Sequence, residues 1–258
     1  NIMIQRGTIL ASLLFFLSFY LFLMFQESDG KKYLFASYLT YLLSLFSKGT
    51  PVILPLIILL YWWCFQKNVN WKILLGYLAM TVAPFVFYFG LGENQQLSLT
   101  MGPLYFGIQM KAIAIYLKLF MLPLNLHYLY DLSPVLNWQN YALGFFYIAM
   151  IVVAIRFKSK YPMAVFCLLA FFISLIPENS LFPIQHLFFE HRTYLPYAWL
   201  ILFLLALASQ WRKEKWVSAA VLAIFPFYFY QIDKRNLEIK TPLNINSWRR
   251  PRWQNLEP

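Results

Sequence analysis

The sequence predicts an all-α fold: a polytopic bundle of about eight transmembrane helices, with one further helix at the membrane interface. Of its 258 residues, 61% are hydrophobic and 21% are aromatic. Only 12% are charged, which is about half the usual share of a soluble domain. The apolar residues form runs that cross or nearly cross a bilayer, where a helix satisfies its own backbone polar groups.

The predicted spans follow one another along the chain, and several are shorter than the ~20 residues of an ideal span. Pro51 and Pro55 favour a break near Ser47 and Thr50, which leaves open either two short helices or one broken helix. The eight spans are residues 9–25, 33–46, 51–65, 73–91, 141–155, 161–176, 194–209 and 217–230.

Four basic connectors predict the orientation of these spans, because Lys and Arg are enriched in short cytoplasmic loops. They hold Lys31 and Lys32, Lys67 and Lys72, Arg156, Lys158 and Lys160, and Arg212, Lys213 and Lys215.

A cytoplasmic position for all four connectors requires that residues 104–122 do not cross. Lys111 and Lys118 in that stretch are seven residues apart, so they share one helical face. An interfacial amphipathic helix is therefore predicted, and a ninth span is the alternative.

The opposite side of the membrane then receives residues 93–138, residues 178–193 and the tail after Gln231. These segments contain all three histidines of the chain, together with Glu93, Asp131, Glu178 and Glu190. Chemistry is therefore expected on this outer face. The basic tail breaks the orientation rule, because six of its Lys and Arg residues would also lie outside.

The net charge of +11 does not indicate a nucleic-acid partner. The basic residues lie between apolar runs, a pattern typical of topology signals and of contacts with lipid headgroups. Cys64 and Cys167 fall within apolar segments and are expected to be buried free thiols. No Cys or His spacing of a metal site is present, so no metal ligand is assigned and a need for a divalent metal is unknown.

The most informative polar stretch precedes the seventh span and contains Glu190, His191 and Arg192. The planar fork of Arg192 matches a phosphate, and His191 is a second donor or a proton carrier. Glu190 would orient Arg192 or meet a substrate hydroxyl. The alternative is a snorkelling cluster that anchors a helix end.

Two further residues each have two possible roles. Lys48, beside Thr50 and the proline break, either holds an anionic headgroup or is an interface anchor. Asp131, after Tyr130, either binds a sugar hydroxyl or a metal, or forms a helix cap or turn.

Five segments in order resemble the membrane region of tetratricopeptide-containing O-mannosyltransferases, which are multi-pass glycosyltransferases of the GT-C class. The opening is similar to that family's Gln-Arg segment, and the Lys48 segment resembles its Leu-Ser-Lys-Glu motif. The Gln109 segment resembles its Gln-containing helix ending in a Tyr-Asp pair, and the last match resembles its exit toward the repeats. The segments are IMIQRGTILASLLFFLSFYLFL, LSLFSKGTPVILPLIILLYWW, YFGIQMKAIAIYLKLFMLPLNLHYLYD, SLIPENSLFPIQHLFFEHRTYLP, and KRN followed by WQNLEP.

The resemblance implies transfer of a sugar, a hexose such as mannose, from a polyprenyl-phosphate donor to a protein hydroxyl on the outer or luminal face. The partners implied are membrane lipids, the lipid-linked donor as substrate and an acceptor protein, with no cofactor held in the chain. By motif position the implied substrate-binding residues are Arg192, His191, Glu190, Lys48, Tyr194, Gln109, Tyr130 and Asp131.

The sequence departs from the family at two points. Gly49 stands where the family has Glu, and the family's catalytic acid is expected upstream of Asn1. We therefore expect residues 1–231 to be the truncated transmembrane region, inactive alone, and residues 232–258 to be a basic tail toward absent repeats. A multi-pass protein of the bacterial inner membrane, rather than the endoplasmic reticulum, is expected. The alternatives are a GT-C enzyme acting on lipid or cell-wall glycan, and an inactive membrane scaffold or transport subunit.

Overall fold

The computed structural model describes residues 2–65, 67–90, 102–121, 138–179 and 190–210, together with Pro226 and Tyr230. The predicted all-α class is confirmed for these residues, which form helices and contain no strand. Short 3-10 turns at Thr50–Ile53 and Glu190–Thr193 precede the third and eighth helices. The α-helices are α1 (Ile2–Ser28), α2 (Lys31–Ser47), α3 (Leu54–Cys64), α4 (Trp71–Gly90), α5 (Gly102–Met121), α6 (Trp138–Arg156), α7 (Pro162–Asn179) and α8 (Tyr194–Gln210).

Helices α1 and α2 form an antiparallel hairpin. The turn between them is tight because Asp29 has a φ of 53°, in the left-handed region that Asp tolerates. At the far end of the hairpin, the Ser47 hydroxyl donates to the Gly7 carbonyl at 3.1 Å. The hairpin therefore stays paired over most of its length.

The proline break predicted after α2 is present, and it separates two helices. Lys48 is extended, with φ −162° and ψ 153°, and the Thr50–Ile53 turn follows with Pro51 near its start. Proline is favoured in the first turn of a helix, where its missing N–H needs no partner. Pro55 likewise lies at the start of α3, so both prolines act as helix starts.

Helix α4 runs alongside α2 in the same direction. The Tyr38 hydroxyl donates to the Ile73 carbonyl at 2.9 Å, and the Tyr41 hydroxyl lies 2.8 Å from that of Thr81. The aromatic ring of Tyr77 packs between them, against both Tyr38 and Tyr41.

Helices α3, α7 and α8 alternate in direction. Lys158, just before α7, donates to the Trp63 carbonyl at the end of α3, and the Thr50–Ile53 turn contacts α7 farther along. Helix α8 then packs antiparallel to α7. The aromatic core joins these helices to α1, through Phe19, Phe166 and Trp199 among others.

Helices α5 and α6 run in the same direction. Gly107 faces Tyr141, and Met110 faces Gly144 and accepts a hydrogen bond from Tyr147 at 3.3 Å. The shared face of Lys111 and Lys118 is confirmed, since both are exposed while Ala112, Ile113, Tyr116 and Leu119 are buried. An interfacial position for this helix stays a prediction.

These directions define two ends of the helix assembly. The end that we call the basic end holds the α1–α2 turn, the α3–α4 connection and the α6–α7 connection, and thus three of the four predicted basic connectors. The fourth connector lies outside the described residues, although α8 also ends here. The other end, which we call the distal end, holds the start of α1, the end of α2 and the start of α8.

Seven of the predicted spans coincide with described helices, and residues 217–230 lie outside the description apart from Pro226 and Tyr230. Within the described part of the chain, two helical segments are long and apolar enough to cross a membrane: Arg6–Ser28, with a mean hydropathy of 2.3, and Trp138–Arg156, with 1.5. Shorter apolar helices are Thr50–Cys64, Trp71–Val82, Pro162–Pro177 and Tyr194–Gln210.

Candidate functional site

Arg192 is a buried cation at the distal end. It lies in the Glu190–Thr193 turn, which contacts α1 and leads directly into α8. Only 7% of its surface is exposed, and the next residue, Thr193, is 6% exposed. Burying a guanidinium costs several kcal/mol unless polar groups surround it, so this position is a polar site inside an apolar assembly.

The start of α1 lies at the same level as Arg192. Trp199 on α8 packs against Phe15, Phe16 and Phe19 of α1. The two helices run in the same direction, and Arg192 precedes Trp199 by seven residues, roughly 10 Å at 1.5 Å per residue, so it lies near the level of residues 8–12 of α1.

Lys48 approaches this level from the end of α2. The preceding residue, Ser47, donates its hydroxyl to the carbonyl of Gly7, and the extended Lys48 begins the connection to α3. Two of the cations that the sequence singled out, Lys48 and Arg192, therefore both lie at the end of the assembly that holds the first turns of α1. The fold brings them to the same end although they are far apart in sequence.

Gly49 has open space where a side chain would stand. No heavy atom lies within 4 Å of a Cβ built there, and its φ of −73° is accessible to any residue. The Cβ of a longer residue at this position would therefore meet no neighbour.

Thr8 is a polar residue of the same end that the sequence analysis missed. It is 4% exposed, and its hydroxyl makes no hydrogen bond within the described part of the chain. A buried hydroxyl without a partner is costly, so it is a candidate for contact with a bound polar group. A lone threonine in an apolar run gives no sequence signal of this kind.

Gln109 also lies toward the distal end. It is fully buried on α5, two turns before Tyr116, whose carbonyl accepts a hydrogen bond of 2.7 Å from the Tyr197 hydroxyl on α8. Because α5 and α8 run in the same direction, Gln109 and Arg192 both precede this contact. Tyr194, in contrast, is 46% exposed at the start of α8.

The remaining predicted site residues are only partly described. Glu190 and His191 belong by their backbone to the same turn as Arg192, whereas their side chains lie outside the description. Tyr130 and Asp131 lie outside the described residues altogether. The structure thus brings Arg192, Lys48 and Gln109 to one end.

The two cysteines are buried and free, as predicted for apolar segments. Cys64 ends α3 and Cys167 lies on α7, so both belong to the packed core. Within the described ranges, no group of three His, Cys, Asp or Glu residues is placed to hold a metal ion.

Comparison with known proteins returned no match: no family model, no curated protein and no solved structure matches this chain.

Proposed function

We propose that this chain is the membrane region of a GT-C-like glycosyltransferase with a polyprenyl-phosphate sugar donor. In this proposal the sugar, a hexose such as mannose, passes to a protein hydroxyl on the face of the membrane at the distal end. The observation that carries the proposal is the burial of Arg192 at that end, level with the Lys48 connection and the start of α1.

A phosphate is the ligand that this arrangement suits best. A guanidinium presents N–H donors in a fixed fork that matches phosphate oxygens, and Lys48 adds a second positive charge. A lipid-linked phosphate would bring its anion to the end of an apolar helix assembly, while its prenyl chain remains among apolar side chains.

The charge distribution supports the orientation in the proposal. Lys31, Lys32, Lys67, Lys72, Arg156, Lys158 and Lys160 all lie at the basic end. Short loops rich in Lys and Arg are retained in the cytoplasm, so the distal end would face outward. The lipid-linked donors of such enzymes are used on that side, according to the family resemblance.

In this mechanism negative charge builds on the departing donor phosphate as the bond to the anomeric carbon breaks. Arg192 and Lys48 would stabilise that charge, and the water-poor surroundings of Arg192 would strengthen the interaction. An acceptor hydroxyl would lose its proton to a carboxylate.

The test is donor binding by the purified chain in neutral detergent. A polyprenyl-phosphate hexose is titrated against the unmodified chain and against Arg192→Gln, with Lys32→Gln as a matched loss of charge at the basic end. We expect Arg192→Gln to bind about tenfold to a hundredfold more weakly, since a hydrogen bond to a charged group contributes ~1.5–3 kcal/mol.

Equal binding by Arg192→Gln and the unmodified chain would refute the assignment of the phosphate to this residue. Equal affinity for the donor and for the polyprenol without phosphate would also refute it. Transfer to a hydroxyl peptide, measured with the protein as its gene encodes it, then separates protein glycosylation from transfer to a lipid or cell-wall glycan.

A further inference from the structure

An apolar groove lies between the helices and reaches the basic end. Its volume is about 270 Å³, and its walls come from α6, the α6–α7 connection, α7 and α8. The side chains along it include Met150, Val153, Phe157, Tyr161, Leu168 and Phe203.

A second apolar cavity adjoins the groove toward the middle of the helices. It has a volume of about 130 Å³, shares Met150, Leu168 and Phe203 with the groove, and lies between α5 and α8. Along α8, the path from Leu207 to Leu200 advances roughly 10 Å at 1.5 Å per residue. That is about two thirds of the ~15 Å that one leaflet contributes to a bilayer core.

The end of the groove that Phe157 and Tyr161 line carries positive charge. The Lys160 ammonium lies 5.0 Å from the centre of the Tyr161 ring, and that ring lines the groove. Arg156 ends α6 directly before Phe157, another groove residue, and both Arg156 and Lys160 are exposed. Lys158 points elsewhere, since its ammonium lies 4.1 Å above the Trp63 ring on α3.

We infer that this groove binds one acyl chain of an anionic glycerophospholipid, whose phosphate lies against Arg156 and Lys160. The match is one of charge and depth: the two adjoining apolar cavities span about two thirds of the depth of one leaflet, and Arg156 and Lys160 lie exposed at one end of them. Basic pockets between membrane helices on the cytoplasmic side are suited to anionic headgroups. The inference rests on the membrane location proposed above and is independent of the transfer reaction, because its residues lie at the other end from Arg192.

The test uses the purified chain in neutral detergent and native mass spectrometry to count bound lipids. Phosphatidylglycerol and phosphatidylcholine of identical acyl chains are titrated separately. The unmodified chain is expected to bind phosphatidylglycerol in preference. The double variant Arg156→Gln/Lys160→Gln should bind it roughly thirtyfold more weakly, because each Lys or Arg near an anionic surface changes affinity about fivefold.

The control is Lys67→Gln/Lys72→Gln, which removes the same charge from another exposed connector at the basic end. It should bind phosphatidylglycerol like the unmodified chain. Ala164→Leu, which adds bulk at a buried position in the groove wall, should weaken binding while both cations remain.

Equal losses in the two charge variants would overturn the inference, because binding would then follow net charge alone. Equal binding of phosphatidylcholine would overturn it as well. Inorganic phosphate and glycerophosphoglycerol carry no acyl chain. If either binds as tightly as the lipid, the apolar groove does not contribute to binding. If Ala164→Leu does not fold, the charge variants and the two probes without acyl chains still decide the question. None of these outcomes bears on donor binding at Arg192.

Discussion

Ser18 on α1 and Ser37 on α2 each donate their hydroxyl to the backbone carbonyl of the other, at 2.7 and 2.6 Å. Each hydroxyl has a single hydrogen to donate. The Tyr77 hydroxyl, 2.5 Å from the Ser37 oxygen, must therefore be the donor in that contact. One fully buried serine pair thus ties α1, α2 and α4 together.

Ser37→Ala should destabilise the chain more than Ser18→Ala. It removes the hydrogen bond to the Ser18 carbonyl and also removes the Ser37 hydroxyl that accepts from the buried Tyr77 hydroxyl. The total loss of unfolding free energy should be about 1–2 kcal/mol. Unfolding by SDS in mixed micelles measures the difference. Ser28→Ala is the control, because Ser28 is exposed and its hydroxyl donates to the Met24 carbonyl of its own helix. Equal effects of Ser28→Ala and Ser37→Ala would contradict the prediction.

Gly76→Ala should destabilise the packing of α4 on α2. An added Cβ would lie 2.5 Å from the Tyr38 hydroxyl oxygen and 2.8 Å from the adjacent ring carbon, while the hydrogen bond to Ile73 restrains that ring. Overpacking costs ~1–3 kcal/mol, against the ~1 kcal/mol that alanine gains over glycine within a helix.

The matched control for that substitution is Gly49→Ala, where a Cβ meets no atom within 4 Å. Thermal unfolding in detergent should show a lower midpoint for Gly76→Ala and an unchanged or slightly higher midpoint for Gly49→Ala. A higher midpoint for Gly76→Ala would mean that helix propensity outweighs the collision.

Helix positions were predictable from the sequence because they depend on local apolar runs. The run at residues 194–209 corresponds to α8 at Tyr194–Gln210, and the proline break after Ser47 is where the sequence placed it. Basic residues in short connectors likewise predicted which helix ends lie together, because charge follows topology.

The contacts between helices were not predictable in this way. Ser18 and Ser37 are nineteen residues apart and appear as single small polar residues in apolar runs. Only the packing of α1 on α2 shows that they pair. Thr8 became a candidate for the same reason, since its burial depends on neighbours from other helices.

Lys158 and Trp63 should be energetically coupled. The ammonium donates to the Trp63 carbonyl at 3.2 Å and lies 4.1 Å from the ring centre, which fixes the α6–α7 connection to the end of α3. A double-mutant cycle of Lys158→Met and Trp63→Leu should give a coupling of about 0.5–1 kcal/mol in unfolding free energy. Strict additivity of the two substitutions would exclude a cation–π contact in solution.

Thr8→Val should separate function from stability. Valine keeps the shape of threonine and removes a buried hydroxyl that has no partner among the described residues, so the unfolding midpoint should stay the same or rise. Under the proposed function, the same substitution should weaken binding of the polyprenyl-phosphate donor by several fold. Lower stability with unchanged donor binding would instead make Thr8 a packing residue.

Lys48 and Arg192 should act together on one phosphate. If both contact the same anion, Lys48→Gln and Arg192→Gln should each weaken donor binding, and the double variant should lose less free energy than the two losses added. Groups that share a ligand show interaction energies of ~0.5–3 kcal/mol in such cycles. The reference cycle pairs Lys48→Gln with Lys32→Gln, which lies at the basic end and should show no coupling. Additive losses for Lys48 and Arg192 would instead place the two cations on separate groups of the donor.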